Sequence, residues 1–160
     1  MDLFNILRKF PLLEKISDAE LNALIGLLKQ ENFTKGKNII TEGEKGNVMY
    51  ILIDGVVDVI KTTIYKDEFI CATLDSTKHC IFGEMALLDE DKRSATVKAK
   101  TDCKTVSINK DNFVKFIDSY PKAGIELLKL MSINLIRNIR TENNNLKLVY
   151  QALIEEIESN

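Results

Sequence analysis

Histidine occurs once in this sequence, at His79, and cysteine three times, at Cys71, Cys80 and Cys103. One histidine cannot build a Ser/His/Asp or Cys/His catalytic set. His79 and Cys80, taken as metal ligands, would lack a third and a fourth partner. No catalytic residue, no metal site and no cofactor is expected, the chain is not read as an enzyme, and His79 is assigned a packing role. The cysteines are odd in number, widely spaced and without a CxxC pair, which suits reduced structural thiols better than a disulfide framework. Basic clusters are missing too: 22 Lys and Arg stand against 24 Asp and Glu, for a net charge of −2. Nucleic acid and membrane surfaces, which select basic faces, are therefore not expected partners. No window offers the roughly 18 uninterrupted apolar residues of a membrane span. The opening MDLFNILRKFPLLEK has neither a basic n-region nor a small-residue cleavage site. A soluble, cytoplasmic location is the expectation.

Tandem repeats, low-complexity tracts and Pro/Ser-rich linkers are absent as well, so the 160 residues read as one domain. Residues 1–30 look helical: Ser17-Asp18-Ala19-Glu20 fits a capping box, followed by Leu21, Leu24, Ile25 and Leu28 at helical spacing. From residue 31 to 110 the period shortens. Phe33, Ile39–Ile40, Val48–Ile53, Val56–Ile60, Phe69–Leu74, Ser94–Ala99 and Lys104–Ile108 are short β-type runs punctuated by Gly36, Gly43, Gly46 and Gly55. Asp54-Gly55 is a hairpin signal. About eight strands with no long helix between them indicate an antiparallel, jelly-roll-like β-roll rather than a βαβ sheet. Residues 111–160 return to helix, first Asp111–Ser119, then a long helix from Pro121 to about Glu158. The expected class is α+β: an eight-stranded antiparallel β-roll with N-terminal helices, a short helix within the roll and a long C-terminal helix. A cupin-like metalloenzyme on such a roll would need several histidines.

The stretch carrying chemistry is IFGEMALLDEDKRSATVKA, residues 81–99. Strand alternation sets Ala95, Val97 and Ala99 on one face, and parity places Arg93 on that same inward side. A guanidinium turned inward needs a partner, and its planar fork suits phosphate or carboxylate. Gly83 permits a close backbone approach, and the residues after it can form one helical turn. The free amides of roughly Met85 and Ala86 would make an anion nest there. Ala86 and Ala95 leave room for a ligand, and Glu84, an acceptor only, would take a hydroxyl donor such as a ribose. Phosphate beside a sugar hydroxyl is a nucleotide. The competing reading is an ion pair between Glu84 and Arg93 in a ligand-independent interaction domain. Asp89-Glu90-Asp91 lacks the alternating ligand spacing of a calcium loop and reads as a solvated turn.

These residues resemble the phosphate-binding cassette of the cyclic nucleotide-binding domain family, whose pattern is Phe-Gly-Glu-x-Ala-Leu, a short loop, then Arg-x-Ala. The matches are Phe82, Gly83, Glu84, Ala86, Leu87, Arg93 and Ala95. Upstream, FTKGKNIITEGEKGNVMYILIDGVVDV resembles the family's early strands, and the likeness runs from about Phe10 to Ile136. The resemblance implies that Glu84 accepts the ribose 2′-hydroxyl and Arg93 pairs with the phosphate, aided by amides near Met85 and Ala86. Ser94 would touch the phosphate, or the 2-amino group of a guanine. cAMP is favoured and cGMP stays open. Lys92 stands where the family's kinase-type loop has proline.

In the long helix Leu128, Leu135, Ile139, Leu146, Val149 and Leu153 recur at spacings of seven, four and three, interrupted by Glu142. Ile136, Tyr150 and Ile157 widen the stripe. The alternatives are a helix lying on its own barrel or a homodimer seam over residues 128–157. The resemblance further implies that this helix closes over the base, with Thr141, Glu142 and Asn145 as candidate base contacts. It also implies that closure passes the signal to an effector protein of unknown identity.

Overall fold

The computed structural model describes residues 2–10, 13–89 and 91–159; Glu90, the middle of the acidic loop, lies outside them, and its neighbours Asp89 and Asp91 are exposed. Helix α1 spans Leu3–Leu7 and α2 spans Asp18–Ile25. The capping box forms as the sequence predicts: the Ser17 side chain accepts from the Glu20 amide, and the Glu20 carboxylate accepts from the Ser17 amide at 2.7 Å. Eight strands follow: β1 (Lys29–Phe33), β2 (Asn38–Ile40), β3 (Val48–Asp54), β4 (Val56–Thr62), β5 (Glu68–Asp75), β6 (Ile81–Phe82), β7 (Thr96–Ala99) and β8 (Cys103–Asn109). A single turn of helix, α3 (Met85–Leu88), sits between β6 and β7, and α4 (Lys110–Ser119) and α5 (Pro121–Glu158) close the chain. Residues 94 and 95, expected in strand, form a bend ahead of β7.

The strands make two antiparallel four-stranded sheets, ordered β1-β8-β3-β6 and β2-β7-β4-β5, which pack as a jelly-roll-like β-roll. Two apolar cores result. Between the sheets lie Ile40, Leu52, Val57, Phe82, Val97, Ala99 and Cys103. Outside the first sheet, Met49, Ile51, Val106 and Ile108 meet Leu7, Phe10 and Leu24 from the N-terminal helices and Phe113, Phe116 and Leu127 from α4 and α5. This explains why Val48–Ile53 is apolar without alternation: both faces of β3 are covered. On β5 of the second sheet, Phe69 and Ile70 are exposed. His79 packs its ring against Phe10 at 5.0 Å.

Helix α5 begins at Pro121 and presses close to α4 at Gly124, where an added Cβ would come within 3.0 Å of Ile117. Its buried residues are Ala123, Gly124, Leu127 and Met131, and every residue from 136 to 159 is exposed. The helix therefore packs into the core over its first turns, meets β4 once more where Glu142 approaches Lys61, and is exposed along the rest of its length. No helix among the described residues is long and apolar enough to cross a membrane.

Asp54-Gly55, expected as a hairpin, instead carries the chain from one sheet to the other, since β3 pairs with β6 and β8 and β4 with β5 and β7. Gly55 sits at this crossing with φ +98°, and a Cβ there would lie 2.5 Å from the Asp102 carbonyl oxygen. Gly55→Ala should lose more than about 1 kcal/mol of stability in urea denaturation, because both the positive φ and the contact oppose it.

Candidate functional site

Three loops converge on Arg93. The segment between β2 and β3 clamps its backbone: the Arg93 amide donates to the Glu44 carbonyl and the Gly43 amide donates to the Arg93 carbonyl, both at 2.9 Å. The guanidinium turns inward, donating from Nη2 to the Val48 carbonyl at 2.8 Å and from Nη1 to the Gly83 carbonyl at 3.1 Å. It lies flat against Gly46, where a Cβ would fall 2.6 Å from Nη2 and 2.8 Å from Cζ. Gly83, at φ +74°, is closed to a side chain by Arg93 Nη1 and by Ile40 Cδ1. Two glycines thus make the space for one guanidinium. Strand parity predicted its direction, although β7 starts only at Thr96 and a bend, not a strand, delivers Arg93.

Burial pulls the Arg93 pKa down from its ordinary value, and no carboxylate among the described residues pairs with it. The side chain lines a cleft of about 220 Å³ together with Thr41, Glu44, Lys45, Asn47 and Tyr50. Tyr50 stacks on Phe82 with centroids 5.3 Å apart and planes at 13°. Burial raises the Tyr50 pKa. A wider hollow of about 600 Å³, at Arg140, Asn143, Asn144 and Lys147, lies on the open flank of α5 and touches no barrel residue.

Glu84 goes elsewhere. It is only 4% exposed, and its Oε1 accepts from Asn134 Nδ2 of α5 at 2.7 Å. The expected alternative, a Glu84–Arg93 ion pair, is therefore corrected. The acid is held by the Asn134 amide and the base by the Val48 and Gly83 carbonyls. Burial is the main cause of a raised Glu84 pKa, opposed by its own amide and by Asn134. α3 follows directly, with the amides of Met85 and Ala86 in its first turn, where a helix has no acceptor of its own. Met85 is half-exposed and Ala86 buried. Ser94 is exposed and Ala95 half-buried.

The structure thus brings Phe82, Gly83 and Arg93 into one contact network, with Glu84, Met85 and Ala86 adjoining it. Thr141 and Asn145 are exposed on α5, and the Glu142 carboxylate lies 3.8 Å from Lys61 of β4. Sequence reasoning missed Asn134, Gly46 and Tyr50. Gly46 stood out only as a turn glycine; its place two residues before Val48, whose carbonyl Arg93 reaches, was the unused signal. Asn134 follows Leu127 and Met131 at helical spacing, a polar residue prolonging an apolar face.

Residues 30–120 match the family model described as the cyclic nucleotide-binding domain. A cAMP-dependent protein kinase regulatory subunit from Yarrowia lipolytica is 34% identical over 111 residues, which are 69% of this chain and 28% of that protein. The human cGMP-dependent protein kinase 2 is 33% identical over 118 residues, 72% of this chain and 15% of the kinase. The chain therefore spans less than a third of the length of these curated relatives. A crystal structure of a cyclic nucleotide-binding domain from Methylobacillus flagellatus superposes with a TM-score of 0.79 at 21% identity, covering 89% of this chain and 82% of that one. That superposition confirms the β-roll with its flanking helices.

Because the folded Glu84 pKa exceeds its ordinary 4.5, the folded state holds this proton more tightly than the unfolded state. Its contribution to stability is full below pH 4.5 and is lost as pH rises through the raised folded value. Urea midpoints measured across this window should fall with rising pH less steeply for Glu84→Gln than for the unchanged protein.

Proposed function

The chain belongs to the cyclic nucleotide-binding domain family, and we propose that it binds a cyclic nucleotide as a non-enzymatic regulatory module, with cAMP favoured and cGMP as the competing ligand. The observation that carries this reading is Arg93: a half-buried guanidinium in the wall of a cleft, with no carboxylate partner among the described residues and two carbonyls as its acceptors. A cation placed so is complementary to an anion, and a planar fork to a phosphate. Glu84, one residue past the Gly83 carbonyl that Arg93 holds, takes the ribose 2′-hydroxyl. The amides of Met85 and Ala86, with Ser94, complete the phosphate grip, and Phe82 and Ala95 shape the surrounding wall. Relatives named for cAMP and for cGMP match at 34% and 33%, so sequence similarity alone leaves the base open.

Signalling proceeds by a population shift. Ligand must bind one seating of α5 better than another by the free energy separating the two. Phosphate capture reshapes the Gly83–Arg93 segment, α4 follows, and α5 closes over the base through Thr141, Glu142 or Asn145. The exposed stripe of Ile139, Leu146, Val149 and Leu153 supports a homodimer through residues 128–157, since a lone helix with such a stripe gains by burying it. The effector is a further protein region or a separate partner, reached from the cytoplasm. The reading as a ligand-independent interaction domain loses its main structural support without the Glu84–Arg93 pair.

Calorimetric titration with cAMP and cGMP should give saturable heat in the micromolar range or below, at least tenfold tighter for cAMP. Arg93→Ala should weaken either ligand by about 100-fold, the scale of a lost charge-assisted pair. Absence of heat at millimolar nucleotide would reject the reading. Sedimentation should show a dimer that Leu146→Glu dissociates; a monomeric unchanged protein would reject the seam.

A further inference from the structure

The family's pattern places a glutamate before the anion-binding turn, but not the side chain that holds it. In this chain the holder is Asn134. Its Nδ2 donates to Glu84 Oε1 at 2.7 Å and lies 3.5 Å from the Ile81 carbonyl oxygen. Both neighbours are oxygen acceptors, so the nitrogen, with its two hydrogens, must be the atom facing them. The residue is half-buried on the face of α5 that carries Leu127 and Met131 into the core, just before the exposed stretch that starts at residue 136. Glu84 is nearly fully enclosed, and its carboxylate is hydrogen-bonded to the Asn134 side chain.

A buried carboxylate is a useful acceptor only when it is oriented and when some donor keeps it from turning to its nearest alternative. Each of its oxygens can accept more than one hydrogen bond, so the Asn134 bond does not exhaust it. We propose that Asn134 is a positioning residue for the sugar end of the ligand: it fixes the Glu84 carboxylate so that its remaining acceptor capacity meets the ribose 2′-hydroxyl, and α5 thereby takes part in ribose recognition from outside the β-roll. This rests on the cyclic-nucleotide reading and adds a residue to it. Its consequence is a selectivity term: the preference for a ribose over a deoxyribose depends on α5.

The test compares cAMP with 2′-deoxy-cAMP by calorimetry on the unchanged chain, Asn134→Ala, Glu84→Gln and the double variant. Alanine keeps the helix, and Asn134→Ser, small and uncharged beside the buried Glu84 carboxylate, serves as the second variant should Asn134→Ala fail to fold. The unchanged chain should prefer cAMP at least tenfold. Asn134→Ala should reduce that preference below threefold while changing the 2′-deoxy-cAMP affinity by less than threefold. In the Glu84→Gln background the same substitution should have no further effect on the ratio. A general loosening of α5 would instead weaken both ligands together and leave the ratio intact, and that result overturns the proposal. Full effects of Asn134→Ala on the ratio in the Glu84→Gln background would overturn it too. If the unchanged chain binds both ligands equally, Glu84 does not clasp the sugar; the positioning role falls while cyclic-nucleotide binding stands. If it binds neither, the cyclic-nucleotide reading itself fails.

Discussion

The structure turns on a guanidinium seated between two backbone carbonyls. Arg93 reaches back to Val48 at the start of one strand and to Gly83 at the exit of another, and its own backbone is clamped by Gly43 and Glu44. The 43–48 segment and the Gly83 turn therefore meet at one residue. Carbonyls stabilise such a cation without neutralising it, and so the positive charge persists at a cleft wall. A carboxylate in their place would have spent that charge internally. The glycines at 46 and 83 are consequences of the same arrangement, since each gives up its side chain to the guanidinium.

The local patterns that announced the fold were those with a short-range cause. The capping box at Ser17–Glu20 and the start of α5 at Pro121 each depend on a few adjacent residues, and each was legible. Asp54-Gly55 has the local chemistry of a tight turn, but whether the strands it joins pair with each other is decided by distant partners, and here they go to different sheets. The inward aim of Arg93 was legible through parity, even though the strand assumed to carry it starts later. What parity could not supply was the partner. Whether an inward arginine meets an acid or a carbonyl depends on which loop folds over it, and the loop of residues 41–47 lies almost fifty positions upstream. Asn134 was hidden for a related reason: an asparagine on a helix face has no periodic signature, and its target is fifty residues away. Glu142 and Thr141 were reached from the resemblance, and on the structure Glu142 lies beside Lys61.

The two cores divide the labour. The inner one, between the sheets, fixes the wall that carries Phe82, Tyr50 and the neighbourhood of Arg93. The outer one fastens the helices to the first sheet through Met49, Ile51, Val106 and Ile108. β3 belongs to both, with alternate side chains in each, and its first carbonyl also holds Arg93. A displacement of that strand is therefore felt in the cleft and beneath the helices alike.

The projecting part of α5 sets a scale for motion. From residue 136 to Glu158 the rod extends about 35 Å at 1.5 Å per residue. Pivoted near Asn134, a tilt of about 10° would carry its far end roughly 6 Å, the pitch of about one helical turn. Side-chain rearrangements of a few tenths of an ångström at the pivot are thus geared up into displacements large enough to change which residues face one another across a helix pair. The barrel can stay stiff, and the leverage resides in length alone.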